Sequence, residues 1–568
     1  MPDKHDNPLN FWQELKRRKV IGVIIAYAAV GWAIIEIIDT ITEPLNLPGW
    51  TLTLVIVLVA VGFPIAVIFA WIFDITTKGI KKTEPLYDDT ENEDVRSATE
   101  NRVPPEKSII VLPFENISSD PGQDYFSDGL TEELITHMSY IDDLVVISRS
   151  SAMTFKGGKS TVKEIAEKVN VKYVLEGSVR KSGNNLRITA QLINAESDSH
   201  LWAKNYDGTL NDIFDIQEKV SVAIANELKI RLVDTSQPRN TGGSINDLQI
   251  FEIYYKANAN IFKFTEKDTN KAINDLDNAI EELGDQALLY TCKGWAFWML
   301  VNMGIKQDDY LSRAKENLDK ALSIQPGLAR ALAIYAWVEF LSCSFTEGII
   351  YLKKAIEIDP NESFALNGLT TAYSFIGKKE EATKLYVRLE KVDPLNDITL
   401  WCKGSIPFYS GNFDTALKGW HDFYADNPIP FKTFYYAFAM FYVRDIEEVL
   451  DLIEPAINEE SQYFPDKLLR IFRYSITKEK EKLLAELDAM TVKTCKRDGT
   501  YSQHLAVLLS YSGLKKEALD WLEQAINKGY INYPMIESKD KHLDNIRGEE
   551  RFKELVKRVK KEWDEIEI

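Results

Sequence analysis

Two long apolar runs dominate the first part of the chain. Residues 20–38 read VIGVIIAYAAVGWAIIEII with one charge, Glu36; residues 51–73 read TLTLVIVLVAVGFPIAVIFAWIF with none. Each is long enough to cross a hydrocarbon core of about 30 Å as a helix, so transmembrane helices are predicted over 20–40 and 51–73. Trp32, Trp50 and Trp71 stand near the predicted ends, where indole rings favour the headgroup layer. The flanking charges set an orientation. Residues 1–19 end in Lys16, Arg17, Arg18 and Lys19, and Lys78, Lys81 and Lys82 follow the second run, whereas the loop between the runs, with 41–50 at its centre, holds no Lys or Arg. Positive flanks stay on the cytoplasmic side, which predicts that both the start and the large remainder of the chain are cytoplasmic and that 41–50 is a short external loop.

The pattern then changes three times. Residues 74–105 are predicted to be an acidic flexible linker, because a stretch such as YDDTENED buries too little apolar surface to fold. Over 106–232 short apolar runs alternate with amphipathic stretches. KSIIVLPF (107–114) reads as a buried strand and 124–139 as a helix with Leu130, Leu134, Ile135 and Met138 on one stripe. DLVVISRS (143–150) reads as a second strand, and 161–170 as a helix capped by Thr161 and Glu164. Three strands follow, with Leu186, Ile188, Ala190 and Leu192 alternating inward and turns at 182–185 and 196–199. A helix over 212–232 closes the unit. The order β-α-β-α-β-β-β-α predicts a mixed sheet with packed helices. A second linker, 233–246, leads to a helical region over 247–568.

In that region Pro326, Pro360, Pro394 and Pro428 recur every 34 residues. Small and apolar residues keep step with them: Ala314, Leu318 and Ala321 before Pro326, Gly348, Leu352 and Ala355 before Pro360, Gly377 and Ala382 before Pro394, and Gly404, Gly411 and Ala416 before Pro428. Small residues let two helices pack closely, and proline ends the second. A degenerate repeat is expected at about 247–290 and another near Ala506, Gly513, Ala518 and Ala525, with 551–563 as a capping helix. This period resembles the tetratricopeptide (TPR) family, and an all-α superhelical solenoid is expected.

The middle region carries a second resemblance. VLPFENISSDPGQDYFSDGLTEELITHMS, VISRSSAMTFKG and YVLEGSVRKSGNNLRITAQLINAESDSHLWAKNYD are similar to the TolB-like N-terminal domain family. With FWQELKRRKV at the start and two apolar runs, the arrangement resembles bacterial membrane proteins that join such a domain to TPR repeats. The resemblance implies a sensory or protein-contact module in the bacterial inner (plasma) membrane, crossing it twice and touching lipid through both spans.

The first helix of each TPR-type repeat lines the groove. By that spacing the lining includes Arg330, Trp337 and Phe340, then Phe364 and Asn367, then Ile398, Trp401 and Phe408. The set is aromatic and nearly uncharged, which fits a partner peptide anchored by apolar side chains rather than a clamped carboxylate, with Trp337 and Trp401 as its strongest anchors.

Charge and chemistry narrow the function further. The net charge of -19 argues against a nucleic-acid partner. Cys292, Cys343, Cys402 and Cys495 are far apart in sequence and read as buried free thiols. FKGGKST (155–161) falls short of a phosphate-binding loop, because Met153 stands where the first glycine is required. Asp120, Asp124, Asp128, Glu132 and Glu133 cluster around one helix start and read as offsetting its dipole. The six histidines are scattered. No catalytic, cofactor or metal residue is therefore assigned. Two functions remain: a membrane-anchored, non-enzymatic scaffold that recruits a protein, or a receptor whose middle domain binds a small ligand or nucleotide while the repeats relay it. The oligomeric state is left open.

Overall fold

The computed structural model describes residues 104–118, 123–228 and 247–566, apart from 140, 142, 264, 304, 306–308 and 343; before them it describes 73–76, 79–82 and the isolated Trp32, Trp50, Val57, Val59 and Phe63. The chain divides into two compact units, Met1–Arg102 and Val103–Ile568.

In the first unit, strands β1 (Phe73–Thr76) and β2 (Gly79–Lys82) form an antiparallel hairpin in which Phe73 pairs with Lys82. The hairpin lies where an unstructured linker is expected. It also bears on the membrane assignment. Among the described residues no helix is long and apolar enough to cross a membrane. Apart from the isolated positions named above, the runs 20–40 and 51–72 lie outside the described residues. The two transmembrane helices in the expected fold class are therefore corrected, and with them the two-pass inner-membrane placement and the lipid contact. The physical reason is that hydropathy measures side-chain transfer, not backbone conformation. Val- and Ile-rich stretches favour strands as well, and the second run ends in one at Phe73.

The second unit begins with an α/β unit. Its strands are β3 (Ser108–Val111), β4 (Glu115–Asn116), β5 (Val145–Val146), β6 (Tyr173–Ser182), β7 (Asn185–Asn194) and β8 (Ser199–Thr209). They form one mixed sheet in the order β5-β3-β6-β7-β8, with β4 pairing to β6. β3 runs parallel to β5 and β6, and β6, β7 and β8 are antiparallel neighbours. Ile109, Ile110 and Val111 are fully buried, as a continuous apolar run in a parallel position requires. Leu186, Ile188, Ala190 and Leu192 point into the same core. The helices are α1 (Asp124–Ser139), α2 (Arg149–Met153), α3 (Val162–Val169) and α4 (Ile213–Glu227). The Thr161–Glu164 capping box forms at the start of α3. One expectation fails locally. Residues 143–150 give only a two-residue strand, because Ser148 caps α2 instead of continuing β5.

Among the described residues nineteen further α-helices follow. They are α5 (Leu248–Ile261), α6 (Glu266–Leu283), α7 (Ala287–Asn302), α8 (Asp309–Ile324), α9 (Ala329–Leu341), α10 (Phe345–Ile358), α11 (Ser363–Phe375), α12 (Lys379–Val392), α13 (Asp397–Tyr409), α14 (Phe413–Asp426), α15 (Pro430–Val443) and α16 (Ile446–Ile453). Then come α17 (Phe464–Ile476), α18 (Lys480–Glu486), α19 (Ala489–Arg497), α20 (Gly499–Tyr511), α21 (Lys515–Asn527), α22 (Asp544–Arg547) and α23 (Glu550–Glu565). Each of the four spaced prolines stands two residues beyond a helix end, after α8, α10, α12 and α14. Consecutive helices pair as α9 with α10, α11 with α12 and α13 with α14, and the first helices of successive pairs also touch. This is a TPR-like solenoid. The turns inside the α11/α12 and α13/α14 pairs pass through Gly377 (φ 77) and Gly411 (φ 83), a conformation that only glycine adopts without strain. The segment after α21 folds back over these turns. Asn532 donates to the Tyr409 carbonyl at 2.8 Å, Lys539 to that of Ser410 at 2.6 Å, and the Trp563 indole to that of Ile376 at 2.8 Å.

Candidate functional site

The predicted groove residues separate into three groups. Arg330, Trp337, Phe340 and Phe364 come together on α9 and α11. Trp337 lies 5.7 Å from both Phe340 and Phe364, ring centre to ring centre. The Arg330 guanidinium stands 5.6 Å above the Phe364 ring, and its Nε is 2.8 Å from Glu362 Oε1. The Arg330 side chain keeps 47% of its surface exposed, whereas Glu362 is buried. The other Glu362 oxygen caps α11 by accepting from the Ala365 amide at 2.7 Å. Burial raises the Glu362 pKa, against the pull of Arg330.

Ile398 and Trp401 form a second, half-buried group. The Trp401 ring is 5.7 Å from Tyr435 and 6.4 Å from Trp420. The third group is interior. Asn367 is buried and accepts from the Thr399 hydroxyl at 3.3 Å. Phe408 has no exposed surface and sits among Trp420, Phe438, Tyr442 and Phe413. Neither residue lines a surface.

Sequence reasoning missed Trp298, on α7. Its ring is 6.2 Å from Trp337 and 6.3 Å from Phe364, so three successive first helices contribute to one aromatic cluster. Trp298 is on the first helix of the pair that ends at Pro326, one repeat before those from which the groove positions are read, and only its helical aromatic pattern marks it. The indole nitrogens of Trp298, Trp337 and Trp401 are buried and have no hydrogen-bond partner among the described residues. Unmade hydrogen bonds of this kind are costly and uncommon in folded chains.

The α/β unit packs against the solenoid at two places. At one, α1 rests on α5. A Cβ on Gly129 would stand 2.7 Å from the Tyr255 ring, Phe126 and Phe251 meet edge to face at 5.6 Å, and the Tyr255 hydroxyl donates to Glu133 at 2.8 Å. Lys181 pairs with Glu252 at 2.9 Å beside this contact. At the other, the Ser148–Ser151 turn meets the connection between α12 and α13. The Ser148 amide donates to the Val392 carbonyl at 2.6 Å. The hydroxyls of Ser148, Ser150 and Ser151 donate to the Asp393 carboxylate at 2.5, 2.7 and 2.7 Å. The Leu395 amide in turn donates to the Ser151 hydroxyl at 2.9 Å. Asp393 is fully buried, and burial raises its pKa against these hydroxyl bonds.

The acidic residues expected around the first helix of the α/β unit do not converge. Asp124 accepts from Asn116, Asp128 pairs with Lys156, Glu132 with Arg149, and Glu133 with Tyr255, while Asp120 lies outside the described residues. Among the described residues no group of His, Cys, Asp and Glu is placed to hold a metal ion. Cys292, Cys402 and Cys495 are free and buried.

Residues 105–223 match the family described as HilA/YgeH-like transcriptional regulator, second domain. A "Putative adenylate cyclase 3" of Rhizobium meliloti (strain 1021) is 32% identical over 291 residues, which cover 50% of this chain and 42% of that protein. The chain thus spans less than half the length of that relative. Among solved structures, a tetratricopeptide repeat protein from Parabacteroides merdae ATCC 43184 is 15% identical, covers 48% of this chain and 99% of its own, and has a TM-score of 0.32. The APC/C hetero-tetramer Cut9–Hcn1 is 12% identical, covers 61% and 59%, and has a TM-score of 0.35.

Proposed function

We propose that this chain is a protein-binding adaptor without an enzymatic activity of its own. The observation that carries the reading is the Trp298–Trp337–Phe364 cluster on successive first helices. It joins apolar rings to the partly exposed Arg330 guanidinium and to two unpartnered indole N–H groups. Such a surface accepts an extended or helical segment through apolar anchors, with the exposed Arg330 guanidinium as its polar contact. In the same reading the α/β unit is TolB-like and forms part of the contact module.

Peptide selection against the full chain tests this. Trp337→Ala is expected to weaken the selected peptide by about 2 kcal/mol, roughly thirty-fold, as for a buried aromatic anchor. Helicity should stay unchanged. Phe408→Ala serves as the contrast. It should destabilise the fold by about 3–5 kcal/mol, because it empties a core position, and leave peptide affinity unaltered in the folded fraction. Equal affinity for wild type and Trp337→Ala removes the assignment.

The relative's printed name motivates a second reading, in which the α/β unit binds a small ligand or nucleotide and the repeats relay it. Melting the full chain with ATP or cyclic AMP separates the two readings, since a ligand of the native state raises the melting temperature.

A further inference from the structure

The two contacts between the α/β unit and the solenoid differ in kind. The α1–α5 contact is close-packed and mostly aromatic: Gly129 leaves no room for a methyl group, Phe126, Phe251 and Tyr255 interlock, and the buried Glu133 carboxylate accepts from the Tyr255 hydroxyl. The contact at the α12–α13 connection is polar. It buries a carboxylate that has no Lys or Arg beside it among the described residues, and only neutral hydroxyls and their backbone neighbours compensate it. The hydroxyl bonds favour the carboxylate and its removal from water without a cationic partner opposes it, so the contact rests on two large terms of opposite sign. One end is therefore a firm seat, and the other is held by the balance between those opposed terms.

Between these ends lie α7, α9 and α11, the helices that carry Trp298, Trp337 and Phe364. The side chains of the α/β unit reach toward them. Arg149 of α2, paired with Glu132 of α1, lies 4.9 Å above the ring of Phe262, which in turn meets the Trp295 ring of α7 edge to face at 4.8 Å. We propose that the Ser148–Ser151 turn and Asp393 form an autoinhibitory latch that holds the α/β unit across the aromatic face of the repeats, and that its release opens that face about the α1–α5 seat. What the opened face receives rests on the adaptor reading above; the latch itself does not, and its opening can be measured with no partner present.

A charge introduced at Ser150 tests the latch, because this half-buried hydroxyl bonds both Asp393 oxygens. Hydrogen exchange of the full chain is compared for wild type, Ser150→Asp, and Ser150→Asp combined with Asp393→Asn. Two carboxylates at hydrogen-bond distance repel, so Ser150→Asp is expected to speed exchange at least about ten-fold in 146–154 and in 389–396, with α5 and α20 unchanged. Asp393→Asn removes the repulsion and should return both segments toward wild-type rates. Unchanged exchange in Ser150→Asp overturns the latch. So does acceleration that spreads over α5 and α20 or that Asp393→Asn fails to reverse, since either marks general destabilisation. If the latch opens as expected and the selected peptides bind no better, the adaptor reading fails while the latch stands.

Discussion

Gly404→Ala is expected to destabilise the α13/α14 pair by about 2–4 kcal/mol, although alanine is the better helix former by about 1 kcal/mol. Gly404 is on α13, facing Trp420 of α14. A Cβ placed there would stand 2.3 Å from both Cδ1 and Cγ of the Trp420 ring. The ring cannot withdraw. It is fully buried, Phe408 and Tyr435 lie 5.2 and 5.5 Å from it, and its indole N–H donates to the Trp401 carbonyl at 2.8 Å. The two helices must therefore separate, or the indole must break its hydrogen bond and shift. Gly548→Ala is the matched control, because a Cβ there has nothing within 4 Å, and it should change stability little. Denaturation midpoints of the two variants decide the matter. Gly404→Ala combined with Trp420→Leu should lose less than the sum of the single losses, since the second change removes the ring that the first one strikes. Additive losses would show that the glycine is not there for this contact.

That same glycine shows what was legible in the sequence. Gly404 stands at a small-residue position ahead of Pro428, and that spacing alone implies a close helix–helix approach. Alternation over Leu186–Leu192 and the Thr161/Glu164 pair were equally plain, because each is set by neighbours within a few residues. Which of the repeat positions stay exposed was only partly legible. Arg330, Phe364 and Ile398 are 34 residues apart and all retain exposure, whereas Phe340, Ser374 and Phe408 share another repeat position, and there Ser374 and Phe408 are buried. A repeat spacing shows which residues are equivalent; which equivalent set faces outward depends on how the helices are rotated in their packing. The Ser148–Asp393 contact was not legible at all. It joins residues 245 apart in sequence, and no local pattern encodes it. A strand expected over 143–150 ended early for that reason, its serines being committed to a cap and to a distant carboxylate. The apolar runs before residue 74 mark the other limit, since their hydropathy alone did not settle the conformation of their backbone.

His504→Leu is expected to stabilise the chain by about 1–3 kcal/mol near neutral pH, because it removes buried polar atoms that make no hydrogen bond. His504 of α20 is 1% exposed, and neither ring nitrogen has a partner among the described residues. Phe438, Phe434 and Tyr435 surround it at 4.5, 5.2 and 5.5 Å. This burial lowers its pKa from 6.5 to about 3. The unfolded chain thus takes up a proton on this residue below pH 6.5 while the folded chain does not, and stability falls with acidification by about 1.4 kcal/mol per pH unit. His542, stacked on Phe441 at 3.8 Å, is lowered to about 3 as well, chiefly by burial, and acts in the same direction. Asp540 opposes them. Burial raises it from 3.8 to about 6, so between those values the folded chain holds the extra proton and gains stability as the pH falls. Between about pH 6 and pH 4 the two histidines outweigh the one aspartate, leaving a net loss of about 1.4 kcal/mol per unit from these three groups. Removing His504 brings their sum in that window close to zero. The variant should therefore unfold at a lower pH than wild type, and the gap between their denaturation midpoints should widen as the pH is lowered from 6.5 to 4. A gap that stays constant with pH would mean that His504 carries its proton in the folded chain and that the aromatic cage does not exclude the charge.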